Sequence, residues 1–157
     1  MRRAGSSMNT CRMLLASTMV LLSAQGSFAA EEFGTAEEAK AMLAAAVEHI
    51  NADEAGALAE MQKGGLGARD RDLYVFCGES STGLLTVHPV LAGTKIQDIV
   101  DKTGKRFGEE MMQVATPDAV AEVTYLWPRP GADATPVEKI SFVTIVGSQI
   151  CGVGYYK

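Results

Sequence analysis

From Thr35 onward the apolar positions first recur at helical spacing and then at strand spacing. Ala39, Leu43, Ala46, Val47 and Ile50 form one apolar stripe, with Glu37, Glu38, Lys40 and Glu48 largely on the other face, which predicts an amphipathic helix. Thr35-Ala-Glu-Glu38 is a capping box and sets the helix start near Ala36. Asn51-Ala-Asp-Glu54 is a second cap, from which the helix restarts and runs to Lys63, before Gly64, Gly65 and Gly67 end it. Leu73 to Cys77 is an unbroken apolar run rich in β-branched and aromatic residues, the pattern of a strand buried on both faces. Turn formers fill 78–83, and Leu84 to His88 resumes an extended pattern that Pro89 stops, giving a hairpin with a longer loop.

Residues 90–108 read as a loop with one helical turn at Ile96 to Val100 and a tight turn at Lys102-Thr-Gly-Lys105. Phe107 to Ala115 is a short helix closed by Pro117. Three strands follow, at Val120 to Trp127, Val137 to Val146 and Gln149 to Tyr156, the last two joined by a Gly147-Ser148 turn. Alternation puts Ile140, Phe142, Thr144 and Val146 on one face, and Lys139, Ser141, Val143 and Ile145 on the other. Gly152 and Gly154, two apart, leave room for a close approach on one face of the last strand. The order predicts an α+β domain with a single five-stranded, antiparallel-rich sheet. The long N-terminal helix covers one face, and the loops and short helices of 90–116 cover the other.

The first 29 residues change this picture. Arg2, Arg3 and Arg12 precede the mostly apolar run Met13 to Ala24, and Ser27-Phe28-Ala29 offers small residues for a signal peptidase. That is the layout of a secretory signal peptide, too short to span a bilayer, and it predicts export to the periplasm or medium. Cleavage after Ala29 removes three of the 14 basic residues and none of the 19 acidic ones, leaving a net charge of about −8. With scattered cations, nucleic acid and anionic membranes are poor partners. Cleavage also removes Cys11 and leaves Cys77 and Cys151. An even pair in an oxidising compartment points to a disulfide, and two separate buried thiols are the alternative. Two histidines without Cys-x-x-Cys spacing support neither zinc nor c-type haem, and no cofactor is expected. Nucleophile-elbow and phosphate-loop patterns are also missing, so the chain does not read as an enzyme. A thiol-dependent enzyme would need a free Cys77 with His88 as its base.

Asp70-Arg71-Asp72-Leu-Tyr-Val-Phe, Val87-His88-Pro89, Gly93, Asp101 with Thr103-Gly104-Lys105 and Phe107, Tyr125-Leu-Trp127-Pro128 and Cys151-Gly-Val-Gly-Tyr-Tyr156 together resemble the single Cache domain family. The resemblance spans 33–157, essentially the whole chain after the leader. It implies a PAS-like sheet, a small-ligand pocket on the face opposite the long helix, and a role as an extracellular sensor, often of short organic acids. In the PAS-like strand order the first and last strands are neighbours, which would bring Cys77 and Cys151 within bridging distance. Family sensors normally sit between two transmembrane helices, whereas this chain reads as an exported domain. It would then pass its ligand state to a separate membrane-bound receptor or kinase, with a homodimer through the N-terminal helix as one assembly.

The candidate ligand-binding residues are His88, Tyr74, Tyr125, Trp127, Arg71 and Lys105. Tyr74, Tyr125 and Trp127 pair an apolar body with a polar tip, as pocket walls do, with ordinary core packing as the alternative for one of Tyr125 and Trp127, above all Trp127 before its proline. His88, Arg71 and Lys105 could donate to a carboxylate, although Arg71 stands between Asp70 and Asp72 and could serve a local ion pair instead. If His88 serves only the ligand, its replacement should weaken binding and spare the unliganded fold. The leading expectation is a periplasmic module that binds a small organic anion, such as a short carboxylate. The competing one is a ligand-free interaction module that docks on a membrane sensor or transporter.

Overall fold

A computed structural model describes residues 32–131 and 133–157, so the expected signal peptide at 1–29 lies outside the described residues. Helix α1 (Ala36–Ala52) starts where its capping box forms. The Thr35 hydroxyl accepts from the Glu38 N–H, and the Glu38 carboxylate takes the Thr35 N–H in return. Asp53 then ends α1 and caps α2 (Glu54–Gln62) by accepting from the Gly56 N–H. The helix therefore breaks and restarts at one residue, as its second cap predicts.

Six antiparallel strands follow: β1 (Arg69–Asp70), β2 (Leu73–Glu79), β3 (Leu85–Val87), β4 (Ala121–Pro128), β5 (Pro136–Val146) and β6 (Gln149–Tyr156). Their order is β1-β2-β6-β5-β4, and β3 also pairs with β2. The strand beyond the expected five is β1, whose two exposed polar residues carry no hydrophobic period. The neighbours β2 and β6 place Cys77 directly opposite Cys151. The two form a disulfide with a Cα–Cα distance of 4.1 Å.

The continuous burial of β2 follows from two cover layers. Leu73, Val75, Cys77, Cys151 and Val153 face the helices, against Leu43, Ala46, Ile50 and Met61. Tyr74 and Phe76 alternate to the other side, where Val123, Tyr125, Val143 and Ile150 meet Ile96, Phe107 and Met111. That second cover consists of the loop after β3, a 3-10 turn (Ile96–Asp98) and helix α3 (Phe107–Val114).

Asp101 fastens this cover to the sheet. Its Oδ1 accepts from the Thr103 N–H, the Thr103 hydroxyl and the Lys105 N–H, and its Oδ2 accepts from the Leu126 N–H of β4. The Thr103 hydroxyl first, then these backbone donors, hold the carboxyl down at about 2, against the cost of its burial. A carboxyl whose folded pKa is depressed stabilises the fold above its ordinary pKa, and that contribution is lost as pH falls towards about 2. Asp101→Ala should therefore cost about 2–3 kcal/mol at neutral pH by orphaning several donors. Thermal melts of both proteins should differ by that amount at pH 7 and converge near pH 2; equal stability at pH 7 would remove this role.

Candidate functional site

On the face away from α1, strand alternation turns Lys139 and Ser141 of β5 into the interior. Lys139 is 0% exposed, a position where lysine is rarely found without a partner. Its cross-strand neighbours are Tyr125 on β4 and Tyr156 on β6. The ammonium lies 3.9 Å from the Tyr74 ring centroid and 4.6 Å from that of Tyr156, and donates to the Tyr156 hydroxyl at 3.4 Å. Beside it, the Tyr125 and Ser141 hydroxyls are 2.8 Å apart.

The paired glycines of β6 make this crowding feasible. A Cβ at Gly154 would stand 2.3 Å from Lys139 Cε and 2.4 Å from Ser141 Oγ, and one at Gly152 would stand 2.4 Å from the Phe76 ring. The close approach that these glycines predict is thus made by the site's own side chains.

Burial brings the Lys139 ammonium down to about 7, and the Asp72 carboxylate works against that shift. Asp72 is itself buried, with Oδ1 accepting from the Gly34 N–H at 2.7 Å. Its Oδ2 lies 3.2 Å from Arg129 Nε, an ion pair by distance in which neither atom makes an aligned hydrogen bond. The Arg129 guanidinium covers the Phe33 ring at 3.8 Å and reaches that of Tyr156 at 5.0 Å. Two cations and one carboxylate therefore surround Tyr156. Burial also raises the phenols, Tyr74 to about 12 and Tyr125 and Tyr156 well above the ordinary value, so all three remain hydroxyl donors.

A cavity of about 30 Å³ adjoins this cluster, roomy enough for a water or two. Phe76, His88 and Tyr125 form its inner wall, and Leu91, Ile96 and Phe107 are among the residues closing it from the cover layer. Phe107 stacks on Tyr125 at 3.9 Å, and Trp127 stands edge-on to both rings. Lys139 does not line the cavity itself; its cross-strand neighbour Tyr125 does.

His88 is tied into the fold in three ways. Its Nδ1 accepts from the Val90 and Leu91 N–H groups at 3.1 and 3.0 Å. The Gln62 side chain accepts from the His88 N–H and donates to the His88 carbonyl, and the imidazole meets the Tyr74 ring edge-on. Burial first, then the facing charges of Lys139 and Arg69, lower His88 to about 4. At neutral pH the ring is uncharged, and with Nδ1 accepting, its proton sits on Nε2. A ligand can thus take a bond from Nε2 alone. His88→Ala should melt at lower temperature even without ligand, by about 1–3 kcal/mol, because two turn N–H groups lose their acceptor. An unchanged melting point would return His88 to a role confined to the ligand.

The fold gathers four of the six candidates, Tyr74, His88, Tyr125 and Trp127, on one face. It does not bring Arg71 or Lys105 to them. Arg71 sits in the β1–β2 turn at φ 52°, bonded to Asp70, Glu38 and the Phe33 carbonyl. Local carboxylates and the start of α1 thus claim its guanidinium. Lys105 lies at the outer edge of β4, donating to the Thr124 carbonyl and pairing with Glu110. Lys139, Tyr156, Ser141 and the Asp72–Arg129 pair are the members that sequence reasoning did not select.

A helix-backed antiparallel sheet with a buried polar cluster under a loop cover is the architecture of a PAS-like sensory domain. The family model for single Cache domain 2 matches residues 10–148, and the chain belongs to that family. Among solved structures it is similar to a methyl-accepting chemotaxis protein from Vibrio parahaemolyticus RIMD 2210633, with a TM-score of 0.60 and 20% identity, over 76% of this chain and 86% of that one. It is also similar to a periplasmic sensor domain of a chemotaxis protein, with a TM-score of 0.57 and 27% identity, over 74% of this chain and 90% of that one. No curated protein matches the chain. Among the described residues no helix is long and apolar enough to cross a membrane.

Proposed function

We propose that this domain is an exported sensor of a small organic anion, a short monocarboxylate, and that it reports ligand state to a membrane-bound receptor or kinase. The observation that carries this reading is Lys139, a fully buried ammonium on two tyrosine faces. The carboxylate nearest in effect, Asp72, is already engaged by Gly34 and Arg129. A buried cation without an assigned counterion favours an incoming anion, and charge-assisted donors offset the desolvation of a carboxylate. Tyr74 and Tyr125 supply further hydroxyls around it. The cavity beside the cluster is walled by Ile96, Ile99, Phe107 and Met111, which suits a short aliphatic tail and penalises a second carboxylate. The similar structure at 27% identity, a periplasmic sensor domain of a chemotaxis protein, supports a signalling role and agrees with an exported chain.

Binding requires the cover to move, since about 30 Å³ is less than such a ligand occupies. The same small volume favours a second reading, a filled domain that docks on a membrane partner without any ligand. Calorimetry on the processed protein with acetate, propionate, lactate, pyruvate and succinate separates the two. Saturable binding of monocarboxylates with succinate excluded is the expected result. No heat with any of the five would favour the docking module.

A further inference from the structure

We propose that Arg129 is a positioning residue of the ligand site, holding the Asp72 carboxylate away from Lys139 so that the ammonium stays open to the ligand's anion. This rests on the reading of the site given above.

Asp72 is 4% exposed, and its Oδ2 makes no aligned hydrogen bond. A buried carboxylate oxygen with unspent acceptor capacity pairs with a nearby buried cation unless another cation holds it. Arg129 is the competitor. It stands 3.2 Å from Oδ2, and the rings of Phe33 and Tyr156 fix its plane. The Tyr156 ring meets both cations, with Lys139 at 4.6 Å and Arg129 at 5.0 Å from its centroid, and its hydroxyl is spent on the Pro128 carbonyl next to Arg129. Pro128 closes β4, so the strand that supplies Tyr125 to the site also delivers Arg129 to its rim. Without the guanidinium, Asp72 becomes Lys139's internal counterion and competes with any carboxylate ligand. The groups facing Lys139 are then Asp72 and Tyr74 from the β2 side, Tyr125 from β4, Tyr156 from β6 and neutral His88 after β3. Asp72 is the one carboxylate among them.

The test uses wild type, R129Q, R129K and the double variant D72N/R129Q. It reads the Lys139 titration by 13Cε NMR without ligand, and acetate and propionate affinity by calorimetry. R129Q should raise the Lys139 titration by about one pH unit as Asp72 turns to it, and weaken carboxylate binding about tenfold. Adding D72N removes the competitor and should return both readings to near wild type. R129K keeps the charge and should also resemble wild type. A titration unmoved by R129Q, a double variant as weak as R129Q, or R129K behaving like R129Q would overturn the proposal, leaving Arg129 as a packing residue. Should no variant bind either acid while the titration shifts as described, the proposed ligand fails and the positioning role stands.

Discussion

Lys139→Met is expected to abolish carboxylate binding while raising the melting temperature of the unliganded protein. A hydrogen bond to a charged group contributes about 1.5–3 kcal/mol, and a carboxylate left unpaired in the cluster adds its own desolvation, so affinity should fall at least a hundredfold, by about 3 kcal/mol or more. The unliganded protein is relieved of a buried ammonium by a side chain of similar length, a change that often stabilises by about 1–4 kcal/mol where a buried ionic group gives way to apolar packing. Opposite signs on affinity and stability are what a site kept for function produces. The wild-type pH dependence has a definite sign too. Lys139 titrates near 7 in the fold against an ordinary 10.5, so between those values the unfolded chain binds more protons and stability rises with pH. Carboxylate affinity runs the other way, weakening above about pH 7 as the ammonium deprotonates. Both slopes should flatten in the Met variant. Undiminished binding there would take Lys139 out of the site and with it the proposed function.

Removing the Cys77–Cys151 bridge should cost about 4 kcal/mol, the chain-entropy value for a loop of this length, with 74 residues of sequence separation. Both side chains are fully buried in the layer between the sheet and α1, so a double alanine variant adds a packing loss. Because the bridge lies on the face opposite Lys139, ligand affinity should change little while the denaturation midpoint falls steeply. Urea denaturation of the wild type, with and without reductant, and of the double variant measures the effect. A loss below about 1 kcal/mol would show that the paired strands already restrict the unfolded chain as much as the bridge does.

The helix boundaries were legible because caps are local chemistry: Thr35 with Glu38 and Asp53 with Gly56 involve only neighbours in sequence. Strand faces were legible from period two, and even Lys139 fell on the correct side with Ser141 and Val143. What the alternation could not reveal was depth. A lysine within a strand is by default on a solvated face, and only the arrival of Tyr74 and Tyr156 from two other strands buries this one. Gly154, two residues before Tyr156, was the available signal, because the space it leaves is taken by the Lys139 stem. Arg71 and Lys105 stand apart from the other four candidates for the converse reason. Each has acidic residues close by in sequence or across a turn, and these claimed the charge before the pocket could.

The Asp101 turn bears on how these molecules behave towards one another. β4 closes the sheet on one side, and an outermost strand offers its free backbone groups as a template for another chain. Here the Asp101 carboxylate occupies the Leu126 N–H, and the Lys105 ammonium occupies the Thr124 carbonyl at 2.6 Å. An incoming strand would have to displace both side chains, Asp101 held by its own turn and Lys105 paired with Glu110 of α3, before forming its first ladder bonds. The contacts that fasten the cover layer thus also guard the concentrated protein against sheet-to-sheet polymerisation.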